Sequence, residues 1–318
     1  MSTHLLAPSG SLENPSREQV AERLRSGETF WLDIREPKED DFGLLRDAFH
    51  FHDLAVEDSE MFGQRPKVED YEDFVFLVVY GWSPDEDGLV EVHCFYTDRY
   101  LVTVHRDPSP TIDSVCAELE RDQDRFPDAP RLLYEVIDNL VDDLFPVLQR
   151  LDERLDLIEE NLFTAPRDTQ LGDIFQTKRR LVSLRRVVAP QRDLLGRLVS
   201  GGVDLPGVNP EMERYFRDVY DHLIRLTEEI DSDRELANSA IDAYLSTASN
   251  RLNVTTKQLT VIATIFLPLS FITGFFGQNF GWMVGEVSSW QAFVLLGIGL
   301  ELLTVVALLI LFRVRGWF

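Results

Sequence analysis

The stretch "TGFFGQNFGWM", residues 273–283, decides how this chain is read. An uncharged run, 259–276, stops abruptly at Gly277-Gln278-Asn279. A second apolar run, 292–312, follows after a short gap and contains one charge, Glu301. A bilayer core is crossed by about 20 apolar residues in a helix, so both runs are long enough to span it. Their flanks set an orientation. Arg251 and Lys257 precede the first span, Arg313 and Arg315 follow the second, and the loop between has neither Lys nor Arg. The positive-inside rule therefore places both termini in the cytoplasm and the 277–290 loop outside. Trp282, Trp290 and Trp317 fall at interfacial positions.

The 318-residue chain as a whole is acidic, with 55 Asp and Glu against 31 Lys and Arg, a formal net charge of −24. That balance argues against nucleic acid, whose backbone requires a basic face. It favours cations as partners. The two cysteines, Cys94 and Cys116, make no disulfide framework and no metal-ligand spacing. Residues 1–16 have no basic region followed by an apolar one, so they do not read as a signal peptide. They are expected to be a short disordered lead.

Residues 17–129 read as a cytoplasmic α/β domain. "PSREQVAERLRSG" is a helix with Ser16 as N-cap, Glu18 in its first turn and Gly27 at its end. "TFWLDIR" reads as a strand, and "PKEDDFGLLRDAF" and "HDLAVEDSE" as short helices. "KVEDYEDFVFLVVYGW" and "LVEVHCFYTDRYLVTVHR" are strand-like, mainly antiparallel, and separated by the turn "SPDEDG". From Pro130 the period becomes helical. Leu133, Val136, Ile137, Leu140, Val141, Leu144, Leu148, Leu151, Leu155 and Ile158 share one face. Pro166 and a second periodic run, 171–198, make 130–210 a helical hairpin. A stalk helix over 211–258 follows. Met212, Phe216, Val219, Leu223, Leu226 and Ile230 alternate by four and three, a coiled-coil seam that argues for an oligomer. Joined to the first span it would form a rod roughly 100 Å long.

Helical spacing puts Asn253, Thr256, Thr260, Ala263, Leu267, Ser270 and Gly274 on one face, small or hydroxylated for most of its length. Such a face serves helix–helix packing or lines a narrow wet path about a symmetry axis. On an oligomer, the side chain at the outer end would form a ring of amide carbonyls, which suit a hard cation such as Mg²⁺.

The segment "VTTKQLTVIATIFLPLSFITGFFGQNFGWM" resembles the signature region of the CorA family of divalent-metal transporters, whose members carry Gly-Met-Asn after the first of two C-terminal spans. The resemblance continues through "YFRDVYDHLIRL", "VIDNLVDDLFPVL" and "EDSEMFGQRPKVEDYEDFVFLVV". It implies a funnel-shaped homopentamer in the cytoplasmic membrane. Each chain would have an α+β cytoplasmic domain (αβα, mainly antiparallel sheet), the stalk, a pore-lining span 259–276, an extracytoplasmic loop 277–290, a second span 291–312 and a basic cytoplasmic tail 313–318. It implies conduction of Mg²⁺, with Co²⁺ and Ni²⁺, down the electrochemical gradient. Asn279 would be the entrance residue, Gly277 would let backbones approach, and Ser270, Leu267 and Asn253 would line the path. It further implies an intersubunit regulatory Mg²⁺ held by Glu57, Asp58 and Asp218, which keeps the channel closed.

Two departures stand out. Gln278 replaces Met, a position that also varies in the zinc-transporting ZntB branch. Thr256 stands where the family often has a bulky apolar gate. A ZntB-like Zn²⁺ transporter, with or without proton coupling, is therefore the runner-up, and a non-conducting, membrane-anchored metal sensor is the alternative from another class. Glu286, the single charge of the loop, would attract cations to the mouth. Glu301, inside the second span, is either a neutral acid that ties the two spans together or a proton-titrating site. His50 and His52 have no third ligand at zinc spacing. No nucleophilic triad order, P-loop or Gly-rich phosphate motif occurs, so the chain reads as no enzyme and as not ATP-driven.

Overall fold

The computed structural model describes residues 2–83, 88–121, 126–164 and 169–317. The centre of "SPDEDG", 84–87, and Pro166 lie outside the described residues. The chain divides into two units, Met1–Asp242 and Ala243–Phe318.

The first unit is built on a seven-stranded sheet. β1 (Ser2–Ala7), β2 (Gly10–Glu13), β3 (Phe30–Arg35), β4 (Lys67–Asp70), β5 (Val75–Ser83), β6 (Gly88–Tyr96) and β7 (Tyr100–His105) lie in the order β2-β1-β3-β7-β6-β5-β4. Every neighbouring pair is antiparallel except β3 and β7, which run parallel with Asp33 opposite Thr103 and Arg35 opposite His105.

The N-terminal residues are not a disordered lead. They form the β1–β2 hairpin, which covers the open edge of β3, with Leu5 and Leu6 almost fully buried. "HLLAPSGSL" alternates too weakly to announce a strand. Its pairing is set by β3, whose unpaired edge amides would otherwise be exposed.

Helices cover both faces, giving three layers. α1 (Arg17–Ser26) opens with a Ser16–Gln19 capping box and closes at Gly27. α2 (Glu39–Asp47) and α3 (Asp53–Met61) lie on one face, where Phe51 stacks on Phe95 with ring centroids 4.4 Å apart. α4 (Pro110–Arg121), absent from the sequence reading, and α5 (Ala129–Asp142) lie on the other. α5 approaches β5 so closely at Gly81 that a Cβ there would stand 2.5 Å from Leu140 Cδ2. Val79 on β5 and Val92 on β6 are at most 1% exposed, as expected for a sheet covered on both sides.

α6 (Leu144–Thr164) and α7 (Gln170–Val199) pack together, and α8 (Met212–Phe276) is one helix of 65 residues. The seam of α8 is used within the chain. Met212, Phe216, Val219, Leu223, Leu226 and Ile230 are all buried. Tyr134 of α5 meets Phe216, Phe145 of α6 meets His222, and Arg185 of α7 pairs with Asp231. Seam spacing identifies an apolar face and does not say what covers it, so this stretch is no evidence for an oligomer.

The second unit contains the rest of α8, a short α9 (Gly281–Glu286) and α10 (Trp290–Val314), whose 293–299 turns are π-helical. α8 and α10 are the two described helices long and apolar enough to cross a membrane, and the apolar stretch of each is unburied. Glu301 of α10 lies 2.8 Å from the Thr273 hydroxyl of α8.

Candidate functional site

The proposed cation path starts where α8 ends. Gly277 N donates to Thr273 O at 2.9 Å and Gln278 N to Phe275 O at 3.3 Å, so the last turn closes on itself. A Cβ on Gly277 would stand 3.0 Å from the Thr273 carbonyl oxygen, which explains the glycine. Asn279 follows outside any regular element, and Phe280, in extended conformation, holds the N-cap position of α9. Gln278 and Asn279 are exposed and, with Phe293 and Leu296 of α10, line a cavity of about 390 Å³. Glu286, at the end of α9, is exposed as well.

The seven stripe positions, Asn253, Thr256, Thr260, Ala263, Leu267, Ser270 and Gly274, are all exposed in the single chain, with Leu267 at 74%. The half-buried positions of the span fall elsewhere, at Val261, Thr264, Ile265, Pro268, Leu269, Ile272 and Phe276. Thr260 Oγ1 donates to Thr256 O at 2.8 Å. With its proton committed to the backbone, that hydroxyl presents oxygen lone pairs outward, the polarity a cation requires.

The acidic residues are less simply arranged. Glu57 is exposed on α3. Asp58, half-buried, receives Lys67 Nζ at 2.5 Å, and the same ammonium reaches Glu69 at 2.9 Å. Burial alone would lower the Lys67 pKa, but the two carboxylates outweigh it and raise it. Asp218 lies exposed on α8, with His222 one turn further on at 3.9 Å. No hydrogen bond or ion pair among the described residues joins Glu57 or Asp58 to Asp218.

Asp218 instead borders a group that the sequence reading missed. Asp138, Asp142 and His222 bring their ligand atoms within 4.8 Å of one another, and His222 Nδ1 is 3.2 Å from Asp142 Oδ1. Burial, together with the neighbouring Asp142 and Asp218, raises the Asp138 carboxyl above its ordinary range. The available signal was spacing: Asp138 and Asp142 in "VIDNLVDD", and Asp218 and His222 in "YFRDVYDH", are both i,i+4 pairs. His52 has a structural role, its Nδ1 accepting from Leu54 N at the start of α3.

Known proteins resemble this chain along most of its length. Residues 26–313 match the family described as CorA-like Mg2+ transporter protein. The Bacillus subtilis protein YfjQ is 36% identical over 290 residues, covering 91% of this chain and 90% of that one. The cobalt/magnesium transport protein CorA of Thermotoga maritima is 36% identical over 242 residues, 74% of this chain and 68% of that one. The zinc transport protein ZntB of Yersinia enterocolitica is more distant, 28% identical over 231 residues, 71% of this chain and 69% of that one. The complete structure of the CorA magnesium transporter from Methanocaldococcus jannaschii superposes with a TM-score of 0.84 at 22% identity, covering 100% of this chain and 99% of that one. A match from the end of α1 to the end of α10, with a relative above one-third identity along nine-tenths of the chain, shows that this chain belongs to the CorA-like Mg²⁺ transporter family.

Proposed function

We propose that the chain is a divalent-cation transporter, Mg²⁺ first with Co²⁺ and Ni²⁺, working as a homopentamer in the cytoplasmic membrane. The observation that supports this best is the uncovered stripe of α8, which runs without a break into Gly277-Gln278-Asn279. Around a fivefold axis, Thr260, Ser270 and Asn279 would offer oxygen to a cation that keeps several of its waters. Gln278 and Asn279 would form the entrance, with Glu286 adding negative potential beside it. The basic flanks 251–257 and 313–315 put both termini in the cytoplasm.

Metal flux into liposomes that contain the purified protein tests this directly. Uptake of Mg²⁺, Co²⁺ and Ni²⁺ without a pH gradient is expected. Zn²⁺ uptake that requires a pH gradient would favour the ZntB-like reading, which the Gln278 departure and the ZntB relative support. Absence of flux for every ion would leave the metal-sensing oligomer.

Gating rests on Glu57, Asp58 and Asp218, presented by different subunits so that their repulsion is relieved only when Mg²⁺ bridges them. Lys67 is a built-in competitor for Asp58. Asp58→Ala or Asp218→Lys should raise the Mg²⁺ concentration that half-protects the cytoplasmic domain from protease by roughly tenfold or more. An unchanged midpoint in both variants would make these carboxylates a solvated face.

Glu301 is read as a neutral acid. Thr273 Oγ1 lies 2.8 Å from both Leu269 O and Glu301 Oε1, yet a hydroxyl has one proton to donate. A carboxylic acid donating to Thr273 while Thr273 donates to Leu269 satisfies both contacts, and a carboxylate in hydrocarbon is costly. Glu301→Gln, whose amide can donate in the same place, should keep its flux and its pH dependence. Selective loss of pH-dependent flux in that variant would make Glu301 a proton carrier.

A further inference from the structure

A cavity of about 440 Å³ opens between α6 and α8 inside the first unit. Its charged lining is Asp152 from α6 and Arg225, Glu229 and Asp233 from α8. Arg225 Nε donates to Glu229 Oε1 at 2.9 Å, and its guanidinium lies 5.2 Å above the Phe145 ring, so Glu229 is already neutralised. Asp152 and Asp233 are left facing one space as two uncompensated negative charges.

Asp233 is the unusual member. It belongs to the buried side of α8, between Ile230 and Ala237, and is 8% exposed. Its Oδ2 is sealed from solvent and has no hydrogen-bond partner among the described residues. An acidic side chain in that condition carries a large penalty unless a cation or a proton joins it. Burial first, then Asp152, Glu229 and Asp156, push its carboxyl up to about 6. A core position one turn from Ile230 and Ala237 would ordinarily be apolar, as both of those neighbours are.

We infer that this cavity binds one hydrated divalent cation between Asp233 and Asp152, tying α6 to α8. Two uncompensated charges match one divalent ion. Six waters at about 30 Å³ each occupy about 180 Å³, so the cavity has room for an ion that keeps most of its shell. No third His, Cys, Asp or Glu among the described residues joins the two carboxylates within 4.8 Å, as one does at Asp138, Asp142 and His222, so the ion would keep most of its waters. The site lies within one chain and uses neither Asp58 nor Asp218.

The test uses the full-length protein in detergent, with Mn²⁺ counted by electron paramagnetic resonance and the unfolding midpoint followed in chelator and in Mg²⁺. Asp233→Asn keeps the shape and removes the charge. It should bind one fewer Mn²⁺ per chain than wild type. In chelator its midpoint should equal or exceed that of wild type, and in Mg²⁺ it should gain less. Asp152→Asn, at an exposed position, should weaken the same Mn²⁺ by about tenfold, and Asp58→Ala should leave it in place. Equal Mn²⁺ stoichiometry and equal Mg²⁺-induced shifts in wild type and Asp233→Asn would overturn the inference. Should Asp233→Asn fail to fold, unaltered Mn²⁺ binding in Asp152→Asn would overturn it instead.

Discussion

Asn279→Ala is expected to lower Mg²⁺ flux by more than about 100-fold, because losing even two hydrogen bonds to a charged partner costs about 1.5–3 kcal/mol each. The one neighbouring side chain that also offers a carbonyl oxygen, Gln278, stands one residue away from the ring position, and Phe280, the next residue, is apolar. The variant should still assemble, since no hydrogen bond among the described residues engages the Asn279 side chain and the residue is exposed. Chemical cross-linking in membranes measures assembly, and liposome uptake measures flux. Wild-type uptake by an intact assembly would remove Asn279 from the path and with it the pore assignment. Gln278→Met, which gives the Gly-Met-Asn pattern that the sequence resembles, should preserve flux, and any change in the ratio of Mg²⁺ to Zn²⁺ uptake would report what the extra amide does.

Asp33→Asn should destabilise the first unit by about 3–5 kcal/mol, the usual consequence of breaking a buried charge pair. Asp33 is fully buried in β3, where Arg35 Nε donates to its Oδ2 at 2.8 Å and Thr103 Oγ1 to its Oδ1 at 2.6 Å. His105 Nε2 is 3.4 Å away, and Trp31 Nε1 donates to Thr103 Oγ1. Burial by itself would raise the Asp33 carboxyl, but His105, Thr103 and Arg35 outweigh it and hold it low. Burial would likewise lower His105, and Asp33 raises it instead. A depressed acid stabilises above its unfolded range and loses that contribution as pH falls through its folded value. A raised histidine stabilises below its unfolded range and loses that contribution as pH climbs through its folded value. The pair therefore contributes fully between about pH 4 and pH 6.5. There the variant should melt roughly 10 °C below wild type, with the gap narrowing at more alkaline pH. Trp31, inside the network, reports the transition by fluorescence. A shift below about 2 °C at pH 6 would mean that the charges are not paired in the folded protein.

The helical half of the chain was legible in the sequence because its signals are long and periodic. Leu133 through Ile158 announced a face, and every residue named on it is buried. The strand "VFLVVYGW" and the helix behind Ser16 were equally readable from composition and capping. The N-terminal hairpin was not, because Ser2–Ala7 acquires its conformation from a partner strand that its own six residues do not encode. What covers the α8 seam was also hidden, since an apolar face is the same sequence whether a neighbouring helix or another chain lies against it. Of the candidate residues, the stripe of the first span was placed on one helix face by spacing alone, and its role stays a proposal, since Leu259, Ile262, Phe266 and Phe271 are exposed as well. The group at Asp138, Asp142 and His222 draws on α5 and α8, some 80 residues apart in sequence, and no local pattern connects them.

The single parallel pairing in the sheet has a consequence for how the chain acquires its shape. The strands β2, β1 and β3 are neighbours along the chain and can zip together as they leave the ribosome, as can β4, β5, β6 and β7. Joining β3 to β7 closes a loop of 70 residues between Asp33 and Thr103, the slow, non-local kind of contact. Until it closes, a newly made chain exposes one edge of β3 with a buried-type carboxylate in its middle. That carboxylate can satisfy itself only in the register that brings Thr103 and His105 alongside. A shift by one residue turns it to the other face, and a shift by two leaves it without Thr103. The charge that weakens β3 as an aggregation edge during synthesis is thus the same one that proofreads the union of the two halves.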